Sequence, residues 1–104
     1  SITGLEGDTC GLDYAISKSA IMNGLNKSLA KEGARYGVRV NCVAPGPVLT
    51  RPGMANMKTA LGRAADPQEI VDMVLYLASE RSSFVTGATI LMDGGRHLLM
   101  EDGV

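Results

Sequence analysis

The chain has 104 residues, with ten Lys and Arg against eleven Asp and Glu and a formal net charge of −1. Hydrophobic residues make up 45% and charged residues 20%, which is typical of a globular domain and excludes a disordered chain. The balanced charge excludes a strongly basic nucleic-acid binder and a polybasic membrane-surface protein. No apolar run approaches the roughly 20 residues that a membrane-spanning helix needs.

The first predicted element is a long helix. Glycines among polar neighbours in residues 1–12 predict a loop. From Asp13, which can act as an N-cap, to about Ala34 the pattern becomes helical. The periodicity comes from three apolar residues at four-residue spacing, Ile21, Leu25 and Leu29.

Two strands and a second helix follow. Residues 38–43 alternate and are rich in β-branched side chains, which predicts a strand that the prolines of segment 44–47 end. Asp66, Pro67 and Glu69 have the pattern of a helix start, with an acidic N-cap, proline at the first helical position and Glu three residues after the cap. The apolar run 88–92 predicts the last strand.

This order of elements predicts an α/β fold with parallel strands and right-handed crossovers. Two strands are too few for a parallel sheet, because both of its faces must be covered. Either other chains complete the sheet, or the sequence is the back half of a longer domain. The second interpretation is the simpler one.

Tyr14 and Lys18 form the first candidate for chemistry. They lie four residues apart at the start of a predicted helix and therefore share one face. An ordinary phenol has a pKa of about 10, and a fixed ammonium nearby favours the phenolate. Such a tyrosine can exchange a proton with an alcohol oxygen. The spacing alone is weak, because a helix-surface pair with no role has the same pattern.

The motifs around this pair are more specific as a set. Ser1 precedes Tyr14, and further motifs follow in order: Asn41–Thr50, Leu61-Gly62-Arg63, Asp66–Ile70, Phe84–Gly87 and Asp93-Gly94-Gly95. From Ser1 to about Gly95 the sequence resembles the C-terminal part of the short-chain dehydrogenase/reductase family. The resemblance is closest to the branch that holds the 3-oxoacyl-[acyl-carrier-protein] reductases.

The resemblance implies three catalytic residues. Ser1 matches the serine that holds the substrate oxygen, and Tyr14 matches the proton donor and acceptor. Lys18 matches the lysine that lowers the tyrosine pKa and binds the nicotinamide ribose, so that Tyr14 and Lys18 also belong to the cofactor site.

The resemblance also implies a cofactor segment and a substrate loop. The segment that cradles the nicotinamide matches Pro45, Gly46, Val48 and Thr50, with the Val48 backbone and the Thr50 side chain on the carboxamide. Met54 and Met57, in the loop that follows, are weaker candidates for lining the substrate site, since adaptable Met side chains suit binding surfaces.

The implied fold is the C-terminal part of a Rossmann-type doubly wound parallel sheet. The implied activity is oxidoreduction of a carbonyl and a secondary alcohol by hydride transfer with NAD or NADP. Enoyl reductases of this superfamily place six residues between Tyr and Lys, whereas three separate Tyr14 from Lys18, which favours a ketone or alcohol substrate. A homodimer or homotetramer is also implied, because the family packs the helix matching residues 13–34 across a dimer interface.

The sequence lacks the glycine-rich turn on which a dinucleotide pyrophosphate binds. Gly4, Gly7 and Gly11 have a different spacing from the family's motif. We therefore expect residues 1–104 to be the catalytic and substrate half of one domain, inactive without the N-terminal dinucleotide-binding half. The alternative is a truncated, non-catalytic fragment that acts at most as an association module.

The remaining residues point to no further chemistry. Cys10 and Cys42 are too few and too far apart for a disulfide scaffold or a zinc site. Two reduced thiols and the lack of a signal-peptide pattern predict a cytoplasmic protein without a metal centre. His97, the single histidine, is expected at the surface or an interface.

Overall fold

The computed structural model describes residues 18–99. A π-helical stretch (Ala20–Leu25) continues into helix α1 (Asn26–Ala34) and is followed by strand β1 (Cys42–Pro45), helix α2 (Pro67–Ala78) and strand β2 (Thr89–Met92). Three short 3-10 turns lie at Pro52–Asn56, Glu80–Ser82 and Arg96–Leu98. The predicted alternation of helices and strands is confirmed over this range. The predicted loop 1–12 and the predicted N-cap Asp13 lie outside the described residues.

The two strands pair in parallel, in a register that runs from Cys42 opposite Thr89 to Pro45 opposite Met92. The predicted boundaries of β1, residues 38–43, are wrong at both ends. Asn41 lies before the strand and uses its side chain, which donates to the Val85 carbonyl at 3.0 Å and accepts from the Ala88 N–H at 3.1 Å. The strand thus begins only where main-chain pairing takes over.

Pro45 belongs to the strand that the prolines were predicted to end. Cys42 N–H donates to the Ala88 carbonyl at 2.9 Å, and Gly46 N–H donates to the Met92 carbonyl at 3.0 Å. In a parallel ladder alternate residues donate to the same neighbour. The nitrogen of Pro45 therefore faces away from β2, and its missing N–H removes no bond between the strands.

The π-helical stretch and helix α1 together pack on the sheet with a different face from the predicted apolar stripe. The buried positions are Met22, Asn26 and Ala30, whereas Ile21, Leu25 and Leu29 are 44%, 53% and 48% exposed. The π-helical turn, in which the Asn26 N–H donates five residues back to the Ile21 carbonyl, contains Met22, the first residue of this packed face. The periodicity predicted the helix correctly, but the sheet receives the neighbouring row of side chains.

Helix α2 begins with the predicted capping box. The Asp66 carboxylate accepts from the Gln68 N–H at 2.9 Å, and the Glu69 carboxylate accepts from the Asp66 N–H at 2.9 Å. Its other end is held by Arg39, whose guanidinium donates to the carbonyls of Leu77 and Ser79, both at 3.0 Å. These side chains satisfy main-chain groups that a helix leaves unpaired at its ends.

Candidate active site

The first part of the site lies at the carboxyl ends of the two strands. Directly after β1, Gly46 approaches the main chain of Asp93, which directly follows β2. A β-carbon on Gly46 would lie 2.7 Å from Asp93 Cβ and 2.9 Å from Asp93 Cα. Only glycine allows this approach, and it brings the segment after β1 against the end of β2.

Residues 47–49 pair with Ala65, in the segment before α2. The Pro47 carbonyl accepts from the Ala65 N–H, and the Leu49 N–H donates to the Ala65 carbonyl, both at 2.8 Å. In this parallel bridge the N–H and carbonyl of Val48 point away from Ala65. The Val48 carbonyl accepts from the Thr50 N–H at 2.7 Å, and within residues 18–99 the Val48 N–H has no hydrogen-bond acceptor.

Thr50 adds a hydroxyl beside this backbone donor. The residue is exposed, and its Oγ1 reaches the Val48 carbonyl at 3.5 Å, which is long for a hydroxyl hydrogen bond. Val48 and Thr50 therefore present a backbone N–H and a hydroxyl with hydrogen-bonding capacity left for a ligand. The structure brings Gly46, Val48 and Thr50 together at one edge of the sheet.

Lys18 lies toward the same edge. Along the helix, the Met22 carbonyl contacts Thr89 Oγ1 at 3.3 Å and Asn26 Nδ2 contacts the Ala88 carbonyl at 3.2 Å. The helix therefore runs antiparallel to the strands, and its earlier residues lie nearer the carboxyl ends. Lys18, one turn or about 6 Å before Met22, is half-buried there. Ser1 and Tyr14 lie outside the described residues.

The loop after Thr50 contains the two methionine candidates. It forms the 3-10 turn Pro52–Asn56, closed by the Met57 N–H donating to the Met54 carbonyl at 3.2 Å. Both Met54 and Met57 are half-buried, whereas most of this turn is exposed. That they line a substrate site stays a prediction.

The turn after β2, residues 93–97, is organised around the buried carboxylate of Asp93. The sequence analysis did not predict this role. Asp93 is 4% exposed and accepts from the N–H groups of Gly95 at 3.0 Å and His97 at 2.8 Å. Its Oδ2 also lies 2.8 Å from His97 Nδ1. Burial raises the pKa of the Asp93 carboxyl, but the hydrogen bonds from His97 and Gly95 outweigh it and leave this pKa below its usual value. The sequence signal was available, because Asp before two glycines is typical of a tight turn.

A cavity of about 270 Å³ lies on the α2 side of this turn. Its lining includes Pro47, Thr59, Ile70, Met92 and the ion pair of Arg63 and Glu69. Neither Lys18, Val48 nor Thr50 lines it. Within residues 18–99, none of the predicted site residues therefore lines the cavity.

The Arg63–Glu69 pair is bidentate, with Nη1–Oε1 at 2.6 Å and Nη2–Oε2 at 2.9 Å. The hydrogen bond from Arg63, followed by the one from the Asp66 N–H, lowers the pKa of Glu69 to about 2. The pair joins the segment before α2 to the first turn of that helix. Across residues 18–99, no cluster of three or more His, Cys, Asp or Glu is arranged to hold a metal ion, and no helix is long and apolar enough to cross a membrane.

Comparison with known proteins identifies the family. The family model described as enoyl-(acyl carrier protein) reductase matches residues 5–97. A solved short-chain dehydrogenase family protein from Francisella tularensis superposes with a TM-score of 0.81 at 33% identity, over 94% of this chain and 48% of that chain. The chain belongs to the short-chain dehydrogenase/reductase family.

Curated relatives are similar over most of this chain. The 3-alpha-(or 20-beta)-hydroxysteroid dehydrogenase of Mycobacterium tuberculosis is 44% identical over 91% of this chain and 38% of that protein. The 3-oxoacyl-[acyl-carrier-protein] reductase of Chlamydia trachomatis is 39% identical over 91% of this chain and 42% of that protein. The chain thus spans about two-fifths of the length of these relatives.

A solved 3-oxoacyl-[acyl-carrier-protein] reductase from Brucella melitensis with bound NAD gives a TM-score of 0.82 at 40% identity, over 91% of this chain and 37% of that chain. These likenesses confirm the predicted fold class. The two described strands belong to the C-terminal part of a Rossmann-type doubly wound parallel sheet, which is incomplete in this chain.

Proposed function

We propose that the intact protein transfers hydride reversibly between NAD(P)(H) and a carbonyl or secondary alcohol. The observation that carries this proposal is the edge where Gly46, Val48 and Thr50 meet. There the Val48 N–H has no acceptor within residues 18–99, and the Thr50 hydroxyl is exposed. Ligands bind outside the carboxyl ends of the strands in sheets of this kind. Lys18, from the helix that packs on the same sheet, lies toward that edge.

The chemical roles follow from the residue types. Tyr14 would donate a proton to the carbonyl oxygen during reduction and accept it from the alcohol during oxidation. The Lys18 ammonium, from four residues later in the sequence, would favour the phenolate and so bring the Tyr14 pKa nearer to neutral pH. Ser1 would hold the substrate oxygen by a hydrogen bond from its hydroxyl.

The residues present fit a nicotinamide cofactor. A carboxamide needs a donor for its oxygen and an acceptor for its nitrogen. The Val48 N–H and the Thr50 hydroxyl offer these two functions, and Pro45 and Gly46 bring the chain close to the edge. The bound cofactor supplies or accepts the hydride, while the protein orients it and handles the proton. NAD in the Brucella melitensis reductase and NADH in a 4-hydroxyisoleucine dehydrogenase 34% identical to this chain support the class of cofactor.

A second candidate reaction is reduction of an enoyl thioester. It is favoured by the description of the family model that matches residues 5–97. The spacing of Tyr14 and Lys18 favours the carbonyl reaction instead. The named relatives include a hydroxysteroid dehydrogenase and a trans-4-hydroxycyclohexanecarboxylate dehydrogenase, which supports a cyclic ketone or alcohol. The 3-oxoacyl-[acyl-carrier-protein] reductase supports an acyl ketone instead.

The proposal treats residues 1–104 as the C-terminal half of one catalytic domain that works as a cytoplasmic homodimer or homotetramer. The exposed apolar stripe of Ile21, Leu25 and Leu29, which runs along the π-helical stretch and α1, supports contact with a second subunit. Within residues 18–99 the Cys42 thiol forms no disulfide, which supports a reducing compartment. The alternative remains a non-catalytic fragment that acts through association alone.

The test is Tyr14→Phe in the full-length gene product, assayed for NAD(P)H oxidation over a panel of ketones and one enoyl thioester. We expect turnover to fall by about two orders of magnitude or more with an unchanged unfolding midpoint. Tyr36→Phe is the matched control, because Tyr36 is 72% exposed at the end of α1. Near-normal turnover in Tyr14→Phe would contradict the assignment, and oxidation of NAD(P)H with the enoyl thioester alone would favour the second reaction.

A further inference from the structure

We infer that Arg96 is a positioning residue for the substrate side of the site, because from the turn after β2 it holds the end of the loop that carries Met54 and Met57. The inference rests on the proposed function and on the prediction that Met54 and Met57 of this loop line the substrate site. We call residues 58–61 the loop anchor and residues 93–97 the acidic turn.

The acidic turn holds the loop anchor at both of its ends. Arg96 Nη1 donates to the Lys58 carbonyl at 2.6 Å, and the Leu61 N–H donates to the Gly94 carbonyl at 2.9 Å. Between them, a β-carbon on Gly95 would lie 2.7 Å from Ala60 Cβ. The two segments are therefore in close contact along their length, and a side-chain guanidinium supplies the contact nearest to Met57.

The backbone of the acidic turn is held in place by two left-handed glycines and by hydrogen bonds within the turn. Gly94 and Gly95 have left-handed φ angles of 61° and 80°, which other residues adopt only with strain. The buried Asp93 carboxylate accepts from Gly95 and His97, and the Asp93 carbonyl accepts from the Arg96 N–H at 3.0 Å. The Arg96 side chain thus leaves a backbone that is fixed on both sides of it.

The same turn touches the cofactor side through a different contact. Asp93 packs against Gly46, and the Gly46 N–H is paired with the Met92 carbonyl. Loss of the Arg96 side chain leaves this contact in place and releases only the end of the loop at Lys58. Arg96 is therefore expected to affect binding of the carbonyl substrate more than binding of NAD(P)H.

The experiment compares Arg96→Ala, Arg96→Lys and wild type in the full-length protein. Hydrogen exchange of peptides covering residues 50–61 reports on the loop, and separate KM values for the carbonyl substrate and for NAD(P)H report on the site. Arg35→Ala is the matched control, because Arg35 is an exposed arginine whose guanidinium pairs with Glu32 on α1.

We expect Arg96→Ala to speed exchange in residues 50–61 and to raise the carbonyl KM about fivefold to tenfold, the loss of one charge-assisted hydrogen bond at a partly exposed site. The NAD(P)H KM and kcat should stay within about twofold of wild type, a change worth less than half a kcal/mol. Arg96→Lys should recover part of both effects, because an ammonium can still donate to the Lys58 carbonyl.

Unchanged exchange in Arg96→Ala would overturn the inference. Faster exchange with an unchanged carbonyl KM would overturn the positioning role. Equally fast exchange and an equally raised KM in Arg35→Ala would also overturn it, because they would show a general loss of stability. If wild type turns over no substrate in the panel, the proposed function fails. The role toward substrate then falls with it, while exchange still decides whether Arg96 holds the loop.

Discussion

Gly46 and Asp93 are in contact at the carboxyl ends of the two strands, with no room between them for a side chain. The β-carbon position of Gly46 lies 2.7 Å from Asp93 Cβ, and the Gly46 N–H is bonded to the Met92 carbonyl at 3.0 Å. The contact sets where the chain goes after β1, and therefore where Val48 and Thr50 present their donors.

Gly46→Ala is expected to displace this segment from the end of β2. The added methyl group would meet main-chain atoms that cannot move aside, so we expect a loss of about 1–3 kcal/mol in the free energy of unfolding and weaker NAD(P)H binding. Denaturant unfolding and a cofactor titration measure the two effects. Gly53→Ala is the control for stability, because nothing lies within 4 Å of the added methyl group there. Equal stability of the two variants would contradict the packing argument.

Arg39→Ala is expected to destabilise the end of α2 and the connection to β2. The guanidinium donates to four acceptors at 3.0–3.1 Å, the carbonyls of Leu77, Ser79 and Val85 and the hydroxyl of Ser82. Removing it takes a charged donor from four acceptors. The Val85 carbonyl keeps the bond from Asn41, and the carbonyls of Leu77 and Ser79 keep bonds from the Ser82 hydroxyl. We therefore expect a loss of about 1–3 kcal/mol in the free energy of unfolding. Urea denaturation measures this loss. Arg39→Lys should recover only a fraction of the lost free energy of unfolding, because one ammonium cannot reach four acceptors. Full recovery would show that a positive charge at this position is enough and would contradict the role given to the guanidinium.

Glu69→Gln is expected to remove part of the change in the free energy of unfolding that wild type shows between pH 5 and pH 2. The pKa of Glu69 is lowered from 4.5 to about 2 in the folded protein, so its ionised form contributes stability at neutral pH. This contribution is lost as pH falls from about 4.5 toward 2. The unfolding midpoint of Glu69→Gln should therefore lie below that of wild type at pH 7, and the difference should shrink between pH 5 and pH 2.

Unfolding midpoints measured across this pH range provide the test. Glu32→Gln is the control, because it removes the same charge from α1, where the acid pairs with the exposed Arg35. A difference between wild type and Glu69→Gln that stays constant from pH 7 to pH 2 would contradict the role given to the Arg63–Glu69 pair.

The 104-residue chain by itself is expected to bind neither NADH nor NADPH. It contains no glycine-rich turn to meet the pyrophosphate, and the Val48 and Thr50 donors can contact only the nicotinamide end. Isothermal calorimetry on the isolated chain measures this binding. An intact mass of the native protein well above the 10.9 kDa of these 104 residues would show that the native protein contains further residues. Micromolar binding of NADH or NADPH by the isolated chain would contradict the expectation that the N-terminal half of the domain is needed to bind the cofactor.

Local sequence signals predicted the elements whose cause is local. Asp66, Pro67 and Glu69 marked the start of α2 correctly, because a capping box is made by residues three apart in the chain. The order of helices and strands likewise followed from hydrophobic periodicity. The boundaries of β1 did not, because the Asn41 side chain replaces main-chain pairing only when Val85 and Ala88 are beside it.

The sequence by itself determined the family and the alternation of α and β elements, and it supplied the residues that we propose for proton transfer and cofactor binding. Only the tertiary structure decided which face of α1 is buried, that Gly46 must be glycine, and that Arg96 meets the Lys58 carbonyl. The physical reason is the distance along the chain between the partners. Met22 and Thr89, Gly46 and Asp93, and Lys58 and Arg96 come together only when β2 pairs with β1, and no local pattern records that pairing.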